Sequence, residues 1–274
     1  MVKQLSGQQI ERYRKDGFVS LPAFLTPDEV GELKQAVLAA VASTEKRKVA
    51  GHGAYYDRVW TRRVNLWRVS DTLRRYMLGE DLGRMLCQLS GVDGLRVWHD
   101  QALIKEPYAN PTAWHLDSPN WSFCSRDSIS IWIALDDATL ANGCMWFIPG
   151  THEMARYETS GPTSSIDEDL AGLFKICPEM ATINPVAVPM KAGDCSFHNG
   201  LTAHGAGANM TRGRRIAMTC AYMPVGSVFN GQQNLLPDDY FRSLKTGDVL
   251  ENDNWNPLIY SETRIGDQAA CRKG

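Results

Sequence analysis

Apolar positions in the first half of the chain recur at helical spacing. Val30, Leu33, Val37, Leu38 and Val41 follow one another at intervals of one to four residues that return to one face of a helix. This pattern predicts an amphipathic helix that packs on a larger body. A similar apolar pattern over residues 71–90 predicts another helix, whereas residues 47–70 have no clear period and are rich in Gly, Tyr, Trp and Arg.

Two capping boxes mark where the first helices begin. Ser6 with Gln9 predicts the start of one helix, and Gly17 predicts its end. Residues 26–29 (Thr-Pro-Asp-Glu) predict a second start, with proline at the first helical position. Between the two helices, residues 18–21 (Phe-Val-Ser-Leu) predict a short strand.

The pattern changes to short apolar runs, separated by glycine and proline turns, beyond about residue 95. These runs occupy residues 95–98, 102–104, 129–135, 145–148, 186–188, 195–198 and 216–223. Several short strands with regular turns favour a sandwich or a barrel. We therefore expect a mainly β fold with α-helices, a double-stranded β-helix (jelly roll) with N-terminal packing helices.

The chain shows no repeat and no convincing linker, so we expect one domain over residues 1–274. Its front helices occupy about 1–90, its jelly-roll core about 95–225, and a wrapping tail with little regular structure about 226–274. A single all-β unit of this length is common.

Composition excludes several classes of partner. The net charge of −2 and the pI of about 6.3 predict no nucleic-acid partner. No apolar run approaches the roughly 20 residues of a membrane helix, and we expect no membrane partner. Seven cysteines without a C-x-x-C pair indicate reduced thiols, and the first residues are too polar for a signal peptide, so we expect a cytoplasmic protein.

The candidate chemistry lies in two segments of the β-rich half. His115 and Asp117 form an H-x-D motif, and two residues two apart on a strand share a face. His204 lies in a glycine-rich segment, and Arg215 follows eleven residues later. Two imidazoles and one carboxylate leave three positions of Fe(II) open, and a guanidinium suits a 2-oxo diacid. Each part alone is weak, because a single histidine on a strand is usually a half-buried core residue and Arg215 could be surface charge.

The chain resembles the phytanoyl-CoA dioxygenase family of Fe(II)/2-oxoglutarate oxygenases. The matching stretches are residues 100–107, 114–117, 131–136, 142–152 and 197–215. The resemblance implies that His115, Asp117 and His204 bind iron and that Arg215 pairs with the far carboxylate of 2-oxoglutarate.

The resemblance implies further contacts with the cosubstrate. Gln101 and Trp132 stand where family members contact it, and Ala206 stands where many have a hydroxyl residue. One hydrogen bond to the cosubstrate would then be missing. Because Asp117 is retained, the related halogenases, which replace the carboxylate, are a poor match.

Substrate contacts are open at this point. Trp114 and Trp121 flank the iron motif and could line a substrate pocket or simply belong to the core. Arg63, in a basic cluster with Arg58 and Arg62, could contact an anionic substrate or form a solvated face. The aromatic and basic stretch at 51–67 could form a lid or pack on the sheet.

Two further histidines are expected to be other than ligands. His152, in a Pro-Gly-Thr-His turn, is expected to orient a loop. His198, six residues before His204 and therefore on the same strand face if the strand continues, is expected to support the site or belong to the core.

Together these features predict an Fe(II)- and 2-oxoglutarate-dependent dioxygenase. It would use O₂ to hydroxylate a C–H bond of a small-molecule substrate and would release succinate and CO₂. Two alternatives stay open: a jelly-roll protein that binds metal and a carboxylate without turnover, and an oxygenase that acts on a protein side chain. The sequence leaves the substrate and the oligomeric state undetermined.

Overall fold

The computed structural model describes residues 4–44, 61–156 and 169–262. Its helices are α1 (Gly7–Asp16), α2 (Pro27–Ser43), α3 (Asp71–Met77), α4 (Glu80–Ser90), α5 (Thr151–Met154), α6 (Gly172–Ile176) and α7 (Asp238–Ser243). Its strands are β1 (Phe18–Leu21), β2 (Thr61–Val64), β3 (Gly94–Lys105), β4 (Thr112–His115), β5 (Ile129–Ala134), β6 (Met145–Phe147), β7 (Val186–Val188), β8 (Cys195–Asn199), β9 (His204–Ala206), β10 (Arg215–Pro224) and β11 (Leu258–Ser261).

The strands form two antiparallel sheets. The major sheet has the order β1-β8-β5-β10-β3-β11, and β2 pairs with the other half of β3. The minor sheet has the order β4-β9-β6-β7. Neighbours in each sheet are distant in sequence, as in a jelly roll. The predicted fold class, a β-rich jelly roll with packing helices, is confirmed.

The two faces of the major sheet pack against different partners. Ile131, Phe197 and Met218 share one core with Leu33 of α2 and Leu86 of α4, so this face carries the front helices. The opposite face packs against the minor sheet in a second core. Its members include Trp132 and Ala217 from the major sheet and Met145, Phe147 and Ala206 from the minor sheet.

Local signals define the first helices as the sequence predicts. Ser6 and Thr26 each form a complete capping box, and Gly17 ends α1 with a φ of 80°, a left-handed conformation that suits glycine. The prediction of one helix over 71–90 is wrong. Leu78 ends α3, and Gly79 caps α4, so two short helices replace it.

Strand boundaries depart from the sequence pattern in three places. The runs at 95–98 and 102–104 belong to one long strand, β3. The polar residues 99–101 between them are part of this strand and are also buried. The irregular stretch 47–70 contains β2, which pairs with β3. The tail contains α7 and the strand β11, which pairs with the start of β3. The extent of the single domain stays a prediction.

Within the described ranges, none of the helices combines the length and the apolarity that crossing a membrane would require.

Candidate metal and carboxylate site

Two imidazoles face each other across paired strands of the minor sheet. His115 ends β4 and lies opposite His204, which begins β9, and their ring centroids are 4.2 Å apart. Nδ1 of His115 is 2.8 Å from the carbonyl oxygen of Ala113, and Nδ1 of His204 is 2.9 Å from that of Thr202. Since a carbonyl only accepts, both Nδ1 atoms carry the proton. In the neutral imidazole, a proton on Nδ1 leaves the lone pair of Nε2 free for a metal.

Asp117 supplies a carboxylate from beyond the strand. It follows the end of β4 in a right-handed helical conformation, and its N–H donates to the carbonyl oxygen of Gly200 at 3.0 Å. The expectation that a strand face would align Asp117 with His115 is therefore wrong, because a turn places it. Its Oδ1 lies 3.6 Å from Nε2 of His115 and 3.9 Å from Nε2 of His204.

Electrostatics favour metal-binding protonation states for Asp117 and His204. Burial opposes ionisation of Asp117, but the neighbouring imidazoles, above all His204, hold the pKa of its carboxyl well below the usual range. Burial, together with the charge of His115, lowers the pKa of His204 well below its usual value. Asp117 is thus anionic and His204 neutral near pH 7.

The three side chains form a group that can hold one ion. One nitrogen from each histidine and one oxygen from Asp117 all lie within 4.8 Å of one another. Two nitrogens and one oxygen are the donor set of a facial iron site with open positions. His115 and Asp117 remain about a quarter exposed, at 23% and 25%, so the site is accessible from their side.

Arg215 lies on the other sheet, at the start of β10, and its side chain is buried. Although Arg215 follows His204 by eleven residues, the strands that carry them are not neighbours, because β9 belongs to the minor sheet and β10 to the major sheet. The Nη2 atom of Arg215 donates to the carbonyl oxygen of Gly143 at 3.2 Å. Its Nε and Nη1 are buried and have no hydrogen-bond partner among the described residues. Burial lowers the pKa of Arg215 to about 10, so it is charged at pH 7.

Gln101 and Trp132 flank one residue of β10. Thr219 pairs with Gln101 on one side and with Trp132 on the other, so all three project from the same face. The ring of Trp132 lies 5.2 Å from the guanidinium carbon of Arg215, and its buried Nε1 has no partner in the described part of the chain. Ala206 packs in the same core as Trp132 and offers no hydroxyl.

Lys105 is a buried cation that the sequence reasoning missed. It is fully buried and lies directly opposite Arg215 in the pairing of β3 with β10. Its Nζ donates to the carbonyl oxygens of Asn110 and Gly207, both at 2.7 Å. Burial and the charge of Arg215 lower its pKa to about 7. No local sequence signal marks it, because both faces of β3 are buried and its role depends on the pairing with β10.

His198 and His152 occupy different environments. Nε2 of His198 lies 3.5 Å from Oδ2 of Asp117, and its ring centroid is 4.6 Å from that of His204. His152 lies away from this group, and its Nε2 is 3.1 Å from the carbonyl oxygen of Arg14 at the end of α1.

Of the three predicted substrate residues, Trp121 lies in an aromatic core with residues of the major sheet. Trp121 is buried, and its ring centroid is 6.2 Å from that of His99. His99 pairs with Ala221 of β10, and Ala221 belongs to the same hydrophobic core as Trp121. The sequence reasoning did not single out His99.

Trp114 and Arg63 point elsewhere. Trp114 packs on Phe174 of α6, with ring centroids 6.0 Å apart, on the outer side of the minor sheet. Nε of Arg63 donates to the carbonyl oxygen of Thr44 at the end of α2, on the helix side of the major sheet. The structure therefore does not bring Trp114 and Arg63 into the site. Most of the stretch 51–67 predicted as a possible lid, including Arg58, lies outside the described residues.

Comparisons with known proteins agree with this geometry. The family model described as phytanoyl-CoA dioxygenase (PhyH) matches residues 13–217. The dioxygenase lolE1 of Epichloe uncinata is 27% identical over 267 residues, which cover 94% of this chain and 96% of that protein. Among solved structures, the non-heme alpha-ketoglutarate-dependent carbocyclase SnoK is 29% identical, with a TM-score of 0.78 and coverage of 93% of this chain and 96% of SnoK.

A second solved structure contains ligands. The epimerase SnoN, in complex with Fe3+, alpha ketoglutarate and nogalamycin RO, is 30% identical to this chain with a TM-score of 0.75. The match covers 92% of this chain and 97% of SnoN.

Proposed function

Because this chain belongs to the phytanoyl-CoA dioxygenase family and is an Fe(II)- and 2-oxoglutarate-dependent dioxygenase, we propose that it hydroxylates a C–H bond of a small organic substrate. The observation that carries the proposal is that His115, Asp117 and His204 can bind one ion, while the other sheet carries a buried arginine. In this proposal, these three residues hold the iron and Arg215 holds the cosubstrate.

The donor set fits Fe(II). The two histidines are fixed as Nδ1–H tautomers by backbone carbonyls, so their Nε2 lone pairs need no rearrangement before the metal binds. Asp117 contributes the single negative charge. Because three protein ligands leave three positions of an octahedral ion free, there is room for a chelating 2-oxo acid and for O₂.

The buried polar atoms opposite the metal group fit a carboxylate. Arg215 has two donor nitrogens, Nε and Nη1, that are buried without a partner in the described chain, and leaving such donors unsatisfied is costly. A carboxylate accepts two bonds from a guanidinium at once. Trp132 offers its indole N–H from the face of the major sheet that carries Arg215. Gln101 projects from the same face and adds an amide. These contacts would orient the cosubstrate across the space between the sheets.

Bound Fe(II) would supply the activation of O₂, which couples oxidation of the substrate to conversion of 2-oxoglutarate into succinate and CO₂. The chain's own residues bind and orient the cosubstrate. Arg215 and Trp132 hold one end of the cosubstrate away from water, and the apolar residues Phe147 and Ala217 exclude solvent between the sheets. No side chain is required as an acid or base for breaking the C–H bond.

The substrate side is apolar and aromatic. Trp121 packs with Trp98, Phe123 and Phe229, and His99 lies against the ring of Trp121. These residues favour an uncharged organic molecule with a ring or an alkyl chain over a charged peptide, because they supply packing area and few ionic contacts. SnoN, which is similar to this chain, was solved with nogalamycin RO. A cytoplasmic location remains part of this proposal and rests on the cysteine pattern of the sequence.

The test is product formation. Purified protein with Fe(II), ascorbate, O₂ and 2-oxoglutarate is incubated with a panel of apolar ring compounds, and succinate and substrate mass are measured. We expect stoichiometric succinate and a product heavier by one oxygen atom, with both absent in Asp117→Ala and retained in His152→Gln, a matched loss of a histidine outside the site. Succinate formation that is equal in Asp117→Ala and in the wild type would contradict the proposal.

Two alternatives predict different results. A jelly roll that binds metal and carboxylate without turnover would form no succinate with any compound. An oxygenase acting on proteins would form succinate with a peptide library and none with the small molecules.

A further inference from the structure

The two carboxylate oxygens of Asp117 face different groups. Oδ1 lies near Nε2 of His115, at 3.6 Å, and near Nε2 of His204, at 3.9 Å. Oδ2 lies 3.5 Å from Nε2 of His198. One oxygen therefore points to the two candidate iron ligands, and the other points to a third imidazole.

His198 is enclosed by the aromatic rings that surround Asp117. It projects from β8, its side chain is 3% exposed, and its ring packs between Phe147, at 5.5 Å, and His204, at 4.6 Å between centroids. Asp117 is the one carboxylate within 4.0 Å of it among the described residues. Its Nδ1 is buried and has no partner in the same part of the chain, so Asp117 is the group that its ring can bond.

His198 is not part of the ion-binding group itself. The group whose ligand atoms all lie within 4.8 Å of one another consists of His115, Asp117 and His204 and does not include His198. A plain core role also explains little, because a buried imidazole with one nitrogen unpaired costs more than an apolar residue of its size. A hydrogen bond from Nε2 to Oδ2, which lie 3.5 Å apart, would offset this cost.

We propose that His198 is a positioning residue that donates its Nε2–H to Oδ2 of Asp117 and thereby restricts this carboxylate to binding the metal through Oδ1. A carboxylate that bound through both oxygens would occupy one of the three positions that a two-histidine, one-carboxylate site leaves open. His198 keeps that position free. The inference rests on the proposed role of Asp117 as an iron ligand.

The test uses Co(II) in place of Fe(II), because Co(II) reports its coordination by visible absorption without any turnover. His198→Leu removes the donor at similar volume. His198→Gln keeps an N–H that can reach Oδ2, whereas His198→Asn is one carbon shorter. We expect His198→Leu and His198→Asn to weaken Co(II) binding by about 10- to 100-fold, the usual effect of losing a group that orients a metal ligand. His198→Gln restores most of the affinity and the wild-type spectrum.

His152→Gln is the control, since it removes another buried imidazole and leaves Asp117 untouched. It binds Co(II) as the wild type does. If His198→Leu does not fold, as judged by its thermal transition, the His198→Gln and His198→Asn pair decides. Equal Co(II) affinity and equal spectra in these two variants would overturn the inference. A wild-type protein that bound no Co(II) would refute the metal site itself. That result would contradict the proposed function and is distinct from a result that contradicts only the role of His198.

Discussion

Lys105 lies directly opposite Arg215 on the paired strands β3 and β10, so two buried cations share one face of the major sheet. Like charges placed opposite each other destabilise a sheet, and within the described ranges neither cation is in an ion pair with a carboxylate of the chain. Lys105 is held by two carbonyl oxygens and Arg215 by one. We therefore propose that an anion taken from solution binds beside this pair.

Removal of the guanidinium should weaken cosubstrate binding. Because a hydrogen bond to a charged group contributes about 1.5–3 kcal/mol, we expect Arg215→Met to raise the Kd for 2-oxoglutarate by roughly 10- to 100-fold. Arg215→Lys should recover only part of this, since an ammonium cannot pair with both carboxylate oxygens in one plane. Isothermal titration of the Fe(II) protein without O₂ measures both, and an unchanged Kd in Arg215→Met would exclude Arg215 from the cosubstrate site.

The affinity for the cosubstrate should fall as the pH rises through 7. Burial and Arg215 lower the pKa of Lys105 to about 7, so it is charged at pH 6 and neutral at pH 8.5, while 2-oxoglutarate is a dianion throughout. A second cation nearby adds attraction of about 1 kcal/mol, which predicts binding several-fold tighter at pH 6. The Kd of Lys105→Met is divided by that of the wild type at each pH. Titration of the histidine ligands affects both proteins equally, so it cancels in this ratio. A ratio that does not change with pH would exclude Lys105 as the source.

A hydroxyl at position 206 should strengthen cosubstrate binding. Ala206 lies two residues after His204 on β9 and packs with Trp132, so Ala206→Ser directs its hydroxyl into the space between the sheets. A hydrogen bond to a carboxylate would lower the Kd for 2-oxoglutarate several-fold. Ala206→Cys, of similar size with a weak donor, is the matched control. Equal affinities of the serine and cysteine variants would show that the cosubstrate does not reach this position.

Gly143 is required for the close approach of two loops at this end of the barrel. Its φ is 90°, and a Cβ atom there would lie 2.5 Å from the carbonyl oxygen of Gly207, which accepts from Lys105. We expect Gly143→Ala to lower the free energy of unfolding by about 1–3 kcal/mol. Gly213→Ala, where an added Cβ meets nothing within 4 Å, should have little effect. Thermal unfolding of both variants checks this, and equal stabilities would contradict the steric argument.

The sequence predicted the parts of the fold that local chemistry determines. Capping boxes at Ser6 and Thr26 and the apolar runs of the strands need only neighbouring residues, and both were confirmed. The long strand β3 was missed because Asp100, a charged residue, is buried in its middle. Its carboxylate accepts from the N–H groups of Leu66 and Trp67, at 2.6 and 2.7 Å, which are distant in sequence.

In the candidate site, too, local motifs identified residues, but their arrangement depends on distant parts of the chain. The motif at His115 and Asp117 indicated which residues act together, but the strand geometry inferred for them did not hold, because Asp117 is placed by a turn that bonds to Gly200. The position of Arg215 on the opposite sheet depends on strand order, which no local pattern encodes. Lys105 was not singled out because its meaning arises only from its partner on β10.

Formation of the iron–cosubstrate chelate is the most direct test of the whole account. Fe(II) and then 2-oxoglutarate are added without O₂ to the wild type and to Asp117→Ala, and the visible charge-transfer absorption of the chelate is recorded. We predict a saturable band with one equivalent of iron in the wild type and no band in Asp117→Ala. A wild-type protein that retains iron and shows no band on addition of 2-oxoglutarate would contradict the account.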